Sequence, residues 1–300
     1  MRDLFGVVML FGIYSLLTAA LFMDLDAVDV AFTEAAVGAG VSTILLLSSL
    51  RLVGRHEKPH KHNPLLPLIV VGLTGAALIY GVSDAPLVGD PNAPAHQHVA
   101  PRYLNEGPQE TGIPNVVTAV LASYRGYDTL GETVVVFTAG LAVLLLLGVT
   151  GTARQRDFGS DDDRKVQRQV VKTLIPYIML FALYVQFHGD FGAGGGFQAG
   201  VIFAVGFVLY DLVFGHAQSR KVLPAQHLIR FGALGVLIYG GVGLYSLLVG
   251  KNFLDYTALA QDPVHGQHIG ILLVELGVGL AVFSVITLIY STFANRKVAQ

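Results

Sequence analysis

Asp29-Val30-Ala31-Phe32-Thr33-Glu34-Ala35-Ala36-Val37-Gly38-Ala39-Gly40 opens an apolar run that continues through Ser42-Thr43-Ile44-Leu45-Leu46-Leu47 to Arg51. A run of this length can cross the hydrocarbon core of a bilayer, and it carries Glu34 inside it. An acidic side chain at the middle of a membrane helix costs about 2.5–3.5 kcal/mol on insertion scales, so such groups face a protein interior or a wet path. Glu34 is therefore a candidate proton-handling group; the alternative is a glutamate near the outer interface that only packs or caps. The small residues Ala31, Ala35, Ala36, Gly38, Ala39 and Gly40 would admit a second helix at close range and screen the carboxylate from lipid.

Composition extends this reading to the whole chain. Hydrophobic residues make up 53% and charged residues 13%, against about 25% charged in a soluble domain, so the fold class is an all-α integral membrane protein. The absence of cysteine excludes disulfides, thiolate nucleophiles and Cys-ligated zinc or iron–sulfur clusters from this chain. No basic footprint for nucleic acid exists. Leu4–Met23 is longer than the apolar core of a usual signal peptide and reads as a retained first helix.

Hydropathy gives eight spans: Leu4–Met23, Val28–Leu50, Leu65–Val82, Thr133–Thr150, Val170–Phe187, Phe197–Phe214, Phe231–Val249 and Ile269–Phe293, each close to the ~17–25 residues that a bilayer requires. With both termini cytoplasmic, all of the 19 Lys and Arg except Arg102, Arg125 and Lys251 fall on the inner side, as the positive-inside rule demands. The segment 83–132 is an outer loop rich in proline, irregular at first. Its stretch Asn115–Tyr124 has an amphipathic cast that suits the membrane interface. Residues 153–169 form a charged cytoplasmic linker that divides the chain into a four-helix region, 1–152, and a second, 170–300.

Glu34, Glu132, Asp211 and Glu275 are the acids that touch the spans. Glu275 is the most interior, about 9 Å into a helix starting at Ile269 at ~1.5 Å per residue, and His268 lies seven residues earlier on nearly the same face, where it could pass protons to Glu275 or simply sit in water at the helix end. Asp211 is explained by a solvated helix end. The glycine-rich run His188 to Gly200 invites a phosphate-cradle reading, but no Gly-Lys-Ser follows and no strand precedes it. Its glycines suit a sharp reversal with positive φ, with His188 and Gln198 satisfying the freed backbone groups. The pairs among His56, His60 and His62, His96 and His98, and His265 and His268 each lack a third ligand in their own loop, so no metal site and no cofactor are expected.

Three stretches together resemble a known family. Asp29 to Gly38 is similar to a signature in the C-terminal helices of the A-type component of Mrp-type multisubunit Na+/H+ antiporters, which also occurs as separate small subunits of membrane-bound hydrogenases. Asn115-Val116-Val117 with Tyr124 to Glu132 resembles the next signature of that region. His188 to Gly200 and Gly270 to Val278 resemble the B-type component, with Ala193 where the family usually has Pro. The resemblance implies a fusion of an A-type C-terminal piece with a B-type component, joined in the charged linker. It implies that Glu34 and Glu132 serve ion translocation, beside Glu275 and His268, and that Asp29, Gly38, Gly40, Asp128, His188, Gly194, Gly195, Gly196 and Gln198 shape the structure and its interfaces. The antiporter-like half of the A-type component, with its intramembrane lysines, is missing, so the chain should not transport alone and should need A-, C-, D-, E-, F- and G-like partners in the cell membrane. A membrane subunit of a redox-driven complex and a purely structural membrane scaffold are the rival readings.

Overall fold

A computed structural model describes residues 2–57, 65–87, 89–148, 165–294 and 296. Most of the linker, 153–164, and the basic or histidine positions Lys58, His60, Lys61, His62 and Lys297 lie outside the described residues. Among the described residues, eight helices are long and apolar enough to span a membrane: α1 (Leu4–Asp24), α2 (Val28–Val53), α3 (Leu65–Val82), α4 (Gly126–Leu147), α5 (Lys165–His188), α6 (Gly196–Phe214), α7 (Ala225–Leu248) and α8 (Pro263–Ala294).

Helices α4, α5, α7 and α8 start five to seven residues before the hydropathy reading, and the differences at α4 and α8 move acids. Helix α4 begins at Gly126 rather than Thr133, because the polar first turns from Gly126 to Glu132 are already helical; Glu132 therefore stands about 9 Å along the helix at ~1.5 Å per residue. Helix α8 begins at Pro263, a residue preorganised for a helix start, so Glu275 is about 18 Å along it rather than 9 Å. The segment after α3 is not irregular throughout: it holds short helices at Pro94–Gln97, Val99–Asn105 and Gly107–Thr111. Val116–Thr118 runs into a wider turn over Ala119–Tyr124, where Arg125 N reaches Val120 O at 2.7 Å, an i→i+5 bond of the π-helical kind. This stretch is not a free amphipathic helix. Ala119 and Ala122 are buried in the main apolar core with Tyr239, Tyr256 and Ile271, and the Tyr256 hydroxyl donates to Ala122 O at 2.7 Å.

Helix α8 is the central element, packed on α4, α6 and α7. Glycine lets the backbones meet. A Cβ on Gly196 would run into the Glu275 carbonyl oxygen, and one on Gly277 would lie 2.7 Å from Gly235 O. Helix α2 departs from α-helical geometry over Ala35–Ser42, packs on α1, and touches α6 and α8. At the opposite end of α1, Asp3 takes a bidentate bond from Arg55, with Nη2 2.7 Å from Oδ2, and this bond holds its carboxyl at about 2. Helix α3 has no buried residue.

Candidate functional site

Between α5 and α6 the chain reverses through Gly189–Gly195. Gly195 has φ +119°, open only to glycine, and its N–H donates to Val185 O at 3.0 Å. The His188 carbonyl accepts from Phe191 N at 2.9 Å and Gly192 N at 3.1 Å, but the side chains that satisfy the turn come from the other half of the chain, which corrects the role expected of the His188 and Gln198 side chains. Gly194 N donates to Asp29 Oδ1 at 3.0 Å. The Asn115 amide reaches Gly189 O at 3.0 Å, Gly192 O at 2.9 Å and Asp29 Oδ2 at 3.1 Å, and the Thr118 hydroxyl donates to Gly189 O at 2.7 Å. The turn is packed against α2 and the 115–118 segment, so side chains from those elements outcompete its own. Gln198 instead donates to Thr33 Oγ1 at 2.9 Å, and His188 stacks on Tyr184 with ring centroids 4.9 Å apart.

Beneath the turn lies a cavity of about 530 Å³ bounded by α2, the 117–122 segment, α4, α6 and α8. Asp29, Glu132 and Glu275 line it, with hydroxyls from Thr33, Thr118, Thr129 and Thr133 and the Gln198 amide. The rest of the wall is apolar, including Val117, Leu121, Val136, Phe197, Val278 and Val282. The Glu275 carboxyl abuts the glycine turn: a Cβ on Gly195 would lie 2.9 Å from its Oε1, and one on Gly189 3.2 Å. Carboxylates and hydroxyls in an apolar wall can hold a proton or a hard monovalent cation, for which oxygen is the suited ligand.

The structure thus brings Glu132 and Glu275 together and adds Asp29 to them. Glu34 is elsewhere. It stands at the α1 contact, where a Cβ on Gly38 would come 2.5 Å from Glu34 Oε1 and 2.6 Å from Ser15 Oγ, so Gly38 makes room for both. Gly40 has only Ala35 O near its Cβ direction, at 3.5 Å. Asp128 pairs with Arg125 on the surface, Nε to Oδ2 2.7 Å. His268 is not in the cavity wall; its Nδ1 lies 3.7 Å from Asp190 Oδ2. Asp211 is no solvated helix end: it is 2% exposed, with Oδ2 2.7 Å from His216 Nδ1 and Oδ1 accepting from Tyr290 at 3.3 Å. Asn115 and Asp190 fall in stretches that carry the family resemblance and Thr118 does not, but nothing along the sequence marks their contacts, because their partners are distant in it. Among the described residues no three His, Cys, Asp or Glu side chains are grouped to hold a metal ion.

Three family models match in series: MbhD, the D component of MBH, over residues 1–55; MbhE, the E component of MBH, over 62–156; and MnhB, "Domain related to MnhB subunit of Na+/H+ antiporter", over 166–288. Antiporter subunit mnhB2 of Staphylococcus aureus is 33% identical over 44% of this chain and 95% of its own length. The chain belongs to the Mrp/Mnh antiporter-subunit family. A probable K(+)/H(+) antiporter component of A/B type from Rhizobium meliloti is 27% identical over 96% of this Mrp/Mnh-type chain, which spans 32% of that relative's length. The Mrp complex of Dietzia sp. DQ12-45-1b contains a chain with TM-score 0.75 and 28% identity, covering 98% of the present Mrp/Mnh-type chain, which again spans a third of that protein, 33%. An archaeal membrane-bound sulfane sulfur reductase contains a chain with TM-score 0.60 and 28% identity, aligned over 78% of the present chain and 98% of its own length.

Proposed function

We propose that this chain is a membrane subunit of a multisubunit monovalent cation/proton antiporter, and that it contributes the acid-lined cavity to the ion and proton path. The carrying observation is the cavity itself: three carboxylates from α2, α4 and α8 face one space within the spanning region. An acid in a span is retained where it serves ion or proton transfer. Positive-inside asymmetry supports cytoplasmic termini, a cell-membrane location, and an outer position for the end that carries the glycine turn. In this reading residues 1–152 are the A-type piece and 170–300 the B-like piece, joined by the linker 153–169.

Partner subunits are part of the reading. Glu132 is exposed in the single chain although it lies within a span, and a carboxylate facing hydrocarbon is costly; a helix of an A-, C-, D-, E-, F- or G-like partner would cover it. Glu34, at the α1 contact, is a second intramembrane acid outside the cavity. The test is cation/proton exchange by the whole complex in vesicles. Glu275→Gln and Glu132→Gln should each lower exchange by about a hundredfold, the lower end of what a positioned proton-transfer group contributes, and Glu34→Gln should lower it less. Wild-type exchange with both cavity variants overturns the reading. Parallel runs with Na+ and K+ identify the cation. The likeness to a chain of a sulfur reductase supports a second reading, in which redox partners drive the same path; iron–sulfur absorbance in the purified complex decides for it.

A further inference from the structure

Protons must reach the cavity, and one row of titratable side chains leads to it from the loop-rich end. His268 is 38% exposed and Asp190 22%, with Nδ1 and Oδ2 3.7 Å apart. Neither lines the cavity, but Glu275 does. Glu275 stands two turns further along α8 than His268, with its Oε1 3.2 Å from the Cβ direction of Gly189, the residue before Asp190. Asp190 thus approaches a partly exposed imidazole on one side and directly follows Gly189, against which the cavity carboxyl lies. Its own position is fixed, because its carbonyl accepts from Asn115 N at 3.1 Å.

We infer that His268 and Asp190 form the proton entrance of the cavity, with Asp190 handing protons to Glu275; this rests on the proposed reading of the cavity as an ion path. Histidine is the side-chain type that takes and gives protons near neutrality. A proton collected from water on the imidazole passes to the Asp190 carboxylate, leaving neutral imidazole and a neutral carboxyl. It then moves to ionised Glu275, which restores the Asp190 carboxylate. Two neighbouring carboxylates favour sharing one proton over both being ionised, so the row conducts without holding the proton at either acid.

The other ionisable groups around the row are differently engaged. On α8, His265 lies one turn before His268, at the exposed helix start. On α2, both oxygens of Asp29 accept bonds. On the 107–111 helix, Glu110 is bonded by Tyr124 and Arg102. At the end of α5, His188 is stacked on Tyr184.

The test uses the intact complex in vesicles, with exchange measured at fixed inner pH while the pH on the His268 side is varied. Asp190→Asn should slow exchange by about a hundredfold, the lower end for a positioned proton-transfer group, Asp190→Glu should retain most of it, and His268→Gln should flatten the pH dependence on that side alone. If Glu275→Gln abolishes exchange while Asp190→Asn and His268→Gln keep the wild-type rate and profile, the entrance is wrong and the cavity reading stands. If Glu275→Gln alone leaves exchange unchanged, the entrance falls, because its acceptor is not used; if Glu132→Gln does so as well, the cavity reading falls with it. Should Asp190→Asn fail to assemble, the one-sided pH profile of His268→Gln decides the matter, a wild-type profile overturning the entrance.

Discussion

Asp29 does two jobs that can be separated by substitution. Its oxygens accept from Gly194 N and from the Asn115 amide, and its side chain faces the cavity. Asp29→Ala leaves the Gly194 N–H without its acceptor, at a cost of about 1–3 kcal/mol for an unsatisfied buried group. Asp29→Asn keeps one oxygen acceptor and removes the charge. We expect Asp29→Ala to lower the thermal midpoint of the detergent-solubilised complex most, and Asp29→Asn, which keeps an acceptor for Gly194 N but loses the Asn115 bond, to lower it less while depressing exchange; equal midpoints for the alanine variant and wild type would refute the structural half. Asp190 allows a check by pH. Burial raises its carboxyl above the ordinary value, against the pull of His268, so the folded state disfavours the ionised form. The resulting loss of stability grows as pH rises from about 3.9, the ordinary aspartate value, through the raised one. Asp190→Asn should therefore gain most in thermal midpoint over wild type at neutral pH, with the gain shrinking toward pH 4. Sequence made the acids visible but not their company. Asp29 meets a turn 165 residues away, and Asp211, adjacent to the end of an apolar run, read as solvated because Tyr290, 79 residues on, gave no local sign.

Among the elements, α8 sets the geometry of the cavity, and glycine sets the geometry of α8. Its Gly277 meets Gly235 of α7, its Gly279 approaches Gly196 of α6 with 3.1 Å from Cβ direction to carbonyl oxygen, and Gly140 of α4 faces Val285 at 3.0 Å. Small residues at such crossings let membrane helices approach closely. Gly196→Ala would drive a methyl group into the Glu275 carbonyl, in the same turn that aims the carboxyl. Overpacking of this kind costs about 1–3 kcal/mol. We expect the variant to lose thermal stability and exchange together. Gly240→Ala, which meets nothing within 4 Å, is the control and should change neither. Hydropathy and length revealed all eight spans, since each is a long and predominantly apolar run. They missed the early starts of α4, α5, α7 and α8, because the first turns of these helices carry polar residues, among them Asp128, Lys165, Gln226, Arg230, His265 and His268, that look like loop residues by hydropathy.

On the scale of the whole molecule, the regions before and after the linker share one polar seam. Asn115 and Thr118 from the first region hold Gly189 and Gly192 of the second; Gln198 returns to Thr33; Tyr239 and Tyr256 donate to Gly126 O and Ala122 O, each at 2.7 Å; and Ser123 donates to Gln267 at 2.7 Å. Buried groups satisfied only across the seam are costly to expose singly, and in a bilayer no water replaces the lost partners. The seam, rather than the covalent connection, should then hold the regions together. Two polypeptides ending and starting within 153–164, expressed together, are expected to co-purify in mild detergent and to support exchange in the complex. Asn115→Ala should weaken that association, because it strips partners from Asp29, Gly189 and Gly192 at once. Separation of the unmutated pieces would show that the linker is required, and would leave the cavity dependent on a connection that its own hydrogen bonds do not explain.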